Sequence, residues 1–119
     1  MATMLFALPL KPGQAEAART FAQESIGPRY AEYDASEQRI GIHVENWYLQ
    51  HHAAGQFFTI QVEGPDLMAS LGAFISSHDP FDLWFKEQLA SLTGIDLNAG
   101  PPPNEMVAET LAEYKARGA

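Results

Sequence analysis

Two alternating runs of apolar and polar residues, joined by a short turn, constrain this chain more than any other feature. The first run spans residues 41–52 and the second spans residues 56–63, with Ala53-Ala54-Gly55 between them. A repeat of two residues places successive side chains on opposite faces of a β-strand. The small turn lets the second run fold back on the first. The sequence therefore predicts a β-hairpin at the centre of a sheet.

The rest of the chain adds a strand before the hairpin and helices on either side of it. Thr3 to Pro9 is apolar on both faces, which is typical of a strand buried on both sides. Apolar residues then recur at helical spacing, and Asp66 and Asp79 are suited to cap two of the helices. The predicted helices are residues 12–26, residues 29–38, the segment after Asp66, and the segment from Pro80 to Gly94.

This order predicts an α+β fold of the ferredoxin-like βαββαβ type, with an antiparallel sheet covered by helices on one face. Ile95 to Leu97 is expected to be the last, short edge strand. We expect residues 1–100 to form the domain. Residues 101–119 would form a proline-rich linker and a tail that could pack on a partner subunit, and the apolar spacing in this tail favours a helix.

Composition narrows the class of protein. The 119 residues are 46% hydrophobic and 18% charged, as in one globular domain. The net charge of −8 disfavours nucleic acids and anionic membranes as partners, and the longest apolar run is too short to span a bilayer. Cysteine is absent, which excludes thiolate chemistry and fits a reducing, cytoplasmic location.

A sheet covered on one side leaves its other face bare. We assign Trp47, Leu49 and Phe57 to that face, which makes it too apolar to remain in water. Two such faces can cover each other across a two-fold axis. The sequence therefore predicts a homodimer.

The stretch from Val44 to His52, with Glu45, Trp47 and a following histidine, resembles the Glu-x-Trp…His pattern of the antibiotic-biosynthesis-type monooxygenases. Those enzymes belong to the dimeric α+β barrel superfamily, and the element order from Met4 to Leu97 is similar to that of its members. The stretch that begins His78-Asp79-Pro80 looks more like uncharacterised relatives. The resemblance implies a small-molecule cleft, with a monooxygenase- or isomerase-like reaction among the options.

The candidate site lies between the sheet and the open end of the helices, lined by His43, Glu45, Trp47 and Phe57. His43 is the expected proton acceptor, because an imidazole titrates near cellular pH. Glu45 would orient it, and Trp47 would stack on an aromatic ligand. No glycine-rich phosphate loop is present, so we expect no nucleotide cofactor. The hypothesis is a cofactor-free enzyme acting on a small aromatic molecule.

Other interpretations remain open. The face of His43 could serve only as a dimer interface in a non-catalytic binding or structural module. Tyr30 and Tyr33 are the next candidates for ligand binding. His51-His52 does not predict a metal site, because neighbouring strand residues point to opposite faces. Asp79 beside His78 is better explained as a helix cap than as part of a catalytic triad.

Overall fold

The computed structural model describes residues 1–118, in which three β-strands form an antiparallel sheet and four α-helices lie along the chain between and after them. The strand order is β1-β3-β2, so the last strand in sequence is the central one. Within residues 1–118, no helix combines the length and the apolar character that crossing a membrane requires. The elements are β1 Ala2–Pro9, α1 Ala15–Ile26, α2 Tyr30–Ile40, β2 Val44–His52, β3 Gly55–Gly64, α3 Leu67–Ser76 and α4 Pro80–Thr93, followed by a 3₁₀ turn at Asn104–Met106.

The hairpin predicted from the alternation is present. His52 pairs with Gly55 and leaves Ala53 and Ala54 as the turn. Gly55 has φ of +135°, a backbone conformation that residues with a Cβ rarely adopt. The register that follows from this turn decides which face each side chain occupies.

That register corrects the assignment of the bare face. Trp47 pairs with Ile60 and Leu49 pairs with Phe58, and all four side chains belong to the core beneath the helices. Phe57 pairs with Gln50 and lies on the opposite face. Trp47 and Phe57 therefore do not share a face. The two-residue turn fixes which positions of the two strands oppose each other. With this register, Trp47 lies opposite Ile60 on the core face, and Phe57 falls on the other face.

The helix starts agree with their predicted caps. Asp66 Oδ1 accepts a 3.2 Å hydrogen bond from the backbone N–H of Ala69, and Asp79 Oδ1 accepts one of 3.0 Å from Phe81. Gly94 ends α4 in the left-handed conformation, with φ of +80°. These caps orient α3 and α4 over the core face of the sheet.

The predicted last strand is wrong. Residues 95–97 form an irregular turn, and the free edge of β1 instead meets a single bridge from Phe6 to Val107. The backbone N–H of Ala108 donates a 2.8 Å hydrogen bond to the carbonyl of Leu5. The three consecutive prolines before it have no backbone N–H to donate to a neighbouring strand. The chain first pairs with β1 after them, at residue 107.

The predicted helix in the tail is also wrong. Residues 108–118 contain no helix, and Leu111 and Tyr114 are more than four-fifths exposed. Their apolar spacing has no surface of this chain to pack against, and an isolated helix of that length is marginal in water.

Candidate functional site

Glu45 is placed beneath the helices by the turn that connects α2 to β2. Gly41 ends α2 with φ of +82°, and two residues later the backbone N–H of His43 donates a 2.9 Å hydrogen bond to the carbonyl of Glu63. Glu45 then pairs with Val62, a core residue, and points its side chain in the same direction. A carboxyl group thus enters an otherwise apolar interior.

Two neighbouring side chains hold this carboxyl. The hydroxyl of Tyr33 and the indole N–H of Trp47 both donate to Glu45 Oε2, the latter at 2.9 Å. Tyr33 comes from α2, whereas Trp47 lies two residues further along β2. Within residues 1–118, Oε1 of Glu45 accepts no hydrogen bond. One oxygen of the carboxyl is therefore fixed, and the other is available to a ligand.

Burial raises the pKa of Glu45, and the hydrogen bonds from Tyr33 and Trp47 oppose that rise because they stabilise the charged form. The pKa of Tyr33 is raised as well, first by burial and then by the charge of Glu45. Tyr33 therefore remains a hydrogen-bond donor across the physiological range. The arrangement suits a carboxyl group that takes up and releases a proton.

Glu45 lies at the boundary of two cavities. The larger has a volume of about 80 Å³ and is enclosed by the core face of the sheet, α3, α4 and the segment after α4. Glu45 is the sole residue with an ionisable side chain in its wall, and Ser70 and Thr93 are the other polar ones. The apolar wall includes Ile60, Val62, Leu67, Leu71, Phe74 and Leu97.

The smaller cavity, of about 40 Å³, lies on the α2 side of Glu45. Tyr33, Ser36 and Glu37 from α2 face Glu45 across it. Burial and the charge of Glu45 raise the pKa of Glu37 to about 9. The charged form of Glu45 thus disfavours ionisation of Glu37, so the protonation of one carboxyl depends on that of the other.

Of the residues predicted for the site, Glu45, Tyr33 and Trp47 meet. His43 is exposed and Tyr30 is 56% exposed, while Phe57 lies on the other face of the sheet. None of these three belongs to the wall of either cavity.

The ring of Trp47 packs against other aromatic rings of the core, so its faces are not free to stack on a ligand. It stacks on Phe21 with a centroid distance of 4.9 Å and contacts the rings of Phe58 and Phe85 at 5.5 and 5.4 Å. Trp47 also lies outside the wall of either cavity. Its contribution to the site is the hydrogen bond to Glu45.

Glu37 and the wall of the larger cavity were missed in the sequence. Glu37 follows Tyr33 by four residues, so both lie on one face of α2. A glutamate at that spacing is usually a solvated residue at the edge of an apolar stripe, and its burial depends on where β2 passes. Among residues 1–118, no group of three His, Cys, Asp or Glu side chains is arranged to hold a metal ion.

A second buried polar cluster adjoins the smaller cavity through Ser36. Asp82 and Lys86 of α4 are fully buried, although the sequence places them off the apolar stripe. Asp82 accepts hydrogen bonds from Ser36 and Ser77 and an ion pair of 3.1 Å from Arg39. The Lys86 ammonium group donates to the carbonyls of Ile75 and Ser77. This cluster fixes α2, the α3–α4 loop and α4 around the site.

Comparison with solved structures defines the class of fold. The chain has an α+β fold similar to that of tetracenomycin F2 cyclase from Streptomyces glaucescens, a type-II polyketide cyclase. The two share 20% sequence identity with a TM-score of 0.58, over 98% of this chain and 99% of the cyclase chain. No protein-family model and no curated protein sequence matches the chain. A similarity to monooxygenases is not among these findings.

Proposed function

We propose that the protein is a small-molecule enzyme that transfers protons by general acid–base catalysis, with Glu45 as the catalytic residue. The observation that carries this proposal is the position of Glu45, whose carboxyl group closes one end of an apolar cavity while two donors fix one of its oxygens. An apolar pocket with one oriented polar group is the usual form of a ligand site. The fold shared with a polyketide cyclase agrees with this proposal.

The residues that line the larger cavity indicate which class of ligand it can bind. Glu45 is the only ionisable side chain that lines the larger cavity, and the chain carries a net charge of −8, so anionic ligands are disfavoured. A neutral ring compound with an acidic C–H or O–H bond fits better. Its ring would occupy the apolar wall, and its acidic hydrogen would point to Oε1 of Glu45. The Glu45 carboxylate takes that proton, the electrons of the broken bond stay on the ligand as an enolate, and the protonated carboxyl can return the proton at another atom.

A ring enters only if one wall moves. The larger cavity holds about 80 Å³, whereas an engineered cavity that binds benzene measures about 150 Å³. Ile95, Leu97 and Pro102 form the wall that is least fixed by backbone hydrogen bonds. From Asp96 to Pro103 the hydrogen bonds of the described chain run only to near neighbours in sequence, such as Asn98 and Ala99 to Asp96. Outward movement of this segment would widen the cavity while the helices keep their positions on the sheet.

Exchange of carbon-bound hydrogen in heavy water tests the catalytic role. The probe is 2-tetralone, a neutral bicyclic ketone with acidic C–H bonds, and proton NMR follows the loss of its C1 signal. We expect the wild-type protein to accelerate exchange and Glu45→Gln to abolish the acceleration. Glu63→Gln is the matched control, because Glu63 lies on β3 and faces the other side of the sheet. Equal acceleration by Glu45→Gln and wild type would contradict the proposal.

A non-catalytic ligand-binding protein is the second candidate. The apolar wall favours it, because a neutral ligand can bind there without any proton transfer by Glu45. Binding of 2-tetralone in the cavity without any acceleration of exchange would select this alternative.

A further inference from the structure

We infer that Glu37 exchanges protons with Glu45 across the smaller cavity and so connects the buried carboxyl with bulk solvent. The inference deepens the proposed function, on which its catalytic meaning rests. When the protonated Glu45 returns the same proton to the ligand it needs no relay, but exchange of the ligand's hydrogen with solvent requires that Glu45 pass the proton on to water. The larger cavity offers no second ionisable group for this purpose.

The smaller cavity provides the route. Its volume of about 40 Å³ exceeds the roughly 10–15 Å³ that a single water molecule needs. The carboxyls of Glu37 and Glu45 and the hydroxyl of Ser36 line it, which supplies the polar partners that a buried water requires. Glu37 also keeps part of its surface in solvent. A water between the two carboxyls would complete a path from Glu45 to the surface.

The two carboxyls can carry one proton from the ligand to solvent in three steps. We place the resting proton on Glu37, because the hydrogen bonds that Tyr33 and Trp47 donate to Glu45 stabilise the carboxylate form of Glu45. After Glu45 takes a proton from the ligand, both carboxyls are protonated. Glu37 then releases its proton to solvent, and the proton on Glu45 passes through the bridging water to Glu37. One proton has moved from the ligand to bulk water, and the enolate regains a proton from solvent by the reverse of these steps, which restores both the ligand and the resting pair.

The surroundings of Glu37 favour the acid form in the resting state. Glu45 on β2, Asp82 on α4 and Asp34 on the same helix all place negative charge near it, while Phe74 and Phe81 supply the apolar remainder of the cavity wall. The hydroxyl of Tyr33 stays protonated and donates to Glu45. These groups leave Glu37 as the member of the pair that holds the proton.

Titration by carbon-13 NMR tests the coupling without any ligand. In protein labelled at the glutamate carboxyl carbon, Glu45 is assigned from the spectrum of Glu45→Gln. We expect its signal to show a main step and a second step near the pKa of Glu37, about 9. Glu37→Gln should remove the second step, and Glu37→Asp should restore it. Asp34→Asn, which removes a neighbouring charge from the exposed side of α2, should retain it.

The exchange rate of the Tyr33 hydroxyl proton with water separates a relay from a structural role. Loss of the relay in Glu37→Gln slows this exchange several-fold, whereas loosening of the packing speeds it up. A single-step titration of Glu45 in the wild type, or faster exchange in Glu37→Gln, overturns the inference. Both readouts are independent of the 2-tetralone assay. The catalytic role of Glu45 can therefore be refuted while proton exchange between Glu37 and Glu45 is confirmed, and proton exchange can be refuted while the catalytic role is confirmed.

Discussion

The indole N–H of Trp47 donates a 2.9 Å hydrogen bond to the carboxylate of Glu45, two residues earlier on the same strand. Residues separated by two on a β-strand share a face, so the contact follows from the alternation of the hairpin. The ring of Trp47 packs among the core aromatics at the same time. Trp47 thus links the most apolar part of the molecule to its candidate acid–base group.

Substitution Trp47→Phe should raise the pKa of Glu45 further, because it removes a donor that stabilises the charged form while keeping a ring in the core. The lost hydrogen bond should lower the free energy of unfolding by about 1.5–3 kcal/mol. Carboxyl titration by NMR and urea unfolding measure the two effects. Trp84→Phe is the control, since the Trp84 ring packs on Phe21 and Arg29 but has no contact with Glu45. An unchanged pKa in Trp47→Phe would show that the hydrogen bond does not tune Glu45.

The raised pKa of Glu37 makes the protein less stable as the pH rises. Glu37 has an ordinary value of 4.5 and a folded value of about 9, so between these values the folded state holds a proton that the unfolded state has lost. The contribution is complete below pH 4.5 and is lost by about pH 9. Urea unfolding between pH 5 and 9 should therefore show a shallower decline for Glu37→Gln than for wild type, by about 1.4 kcal/mol per pH unit. Equal slopes would mean that Glu37 ionises normally in the folded state.

Removal of the Asp82 carboxylate should be among the most damaging single changes. Asp82→Ala leaves the fully buried Lys86 without its nearby negative charge, removes the acceptor of the Ser36 and Ser77 hydroxyls, and leaves Arg39 paired with Asp79 alone. Breaking a buried charge pair in this way costs about 3–5 kcal/mol. Thermal unfolding checks the prediction, with Glu87→Ala on the exposed side of α4 as the control. If Asp82→Ala loses no more thermal stability than Glu87→Ala, water replaces the hydrogen bonds and the charge that Asp82 supplies.

The outer face of the sheet carries the proposed homodimer. Phe57, Leu5 and the half-exposed Tyr48 lie on this face, and at its centre the buried Thr59 hydroxyl has no hydrogen-bond partner within residues 1–118. We propose that a second copy covers this patch. Phe57→Glu should then yield monomers in sedimentation equilibrium at micromolar concentration, while His78→Glu, at an exposed position in the α3–α4 loop, should not. A wild-type protein that stays monomeric would refute the dimer.

Local patterns in the sequence predict the hairpin and the helix caps because their causes are local. The period of two, the glycine at the turn and the aspartates before α3 and α4 act within a few residues. The face of Phe57 was predicted wrongly because it depends on the register across the turn, and a shift of one residue reverses it. The strand expected at Ile95 is absent, and Val107 pairs with the edge of β1 in its place, a long-range contact that the local pattern does not encode.

The candidate site was predicted in part. Glu45 was identified from its position on the strand, but its partners were sought on the same strand rather than on α2. Tyr33 and Glu37 reach Glu45 because α2 crosses above β2, a tertiary relation that spacing along the chain does not encode. The burial of Asp82 and Lys86 was not predicted, because the partners that stabilise them come from other elements and the spacing along α4 does not show them.

We propose that a neutral ring binds in the larger cavity with its polar group at Glu45. The most direct measurement is methyl NMR of the protein titrated with phenol, with Leu71→Phe as a cavity-filling variant and Met68→Phe, on the exposed side of the same helix, as its control. The account predicts shifts and ligand contacts at the methyl groups of Leu67 and Leu71, their loss in Leu71→Phe, and weaker binding in Glu45→Gln. Contacts confined to other surfaces, or equal binding by Leu71→Phe, would contradict it.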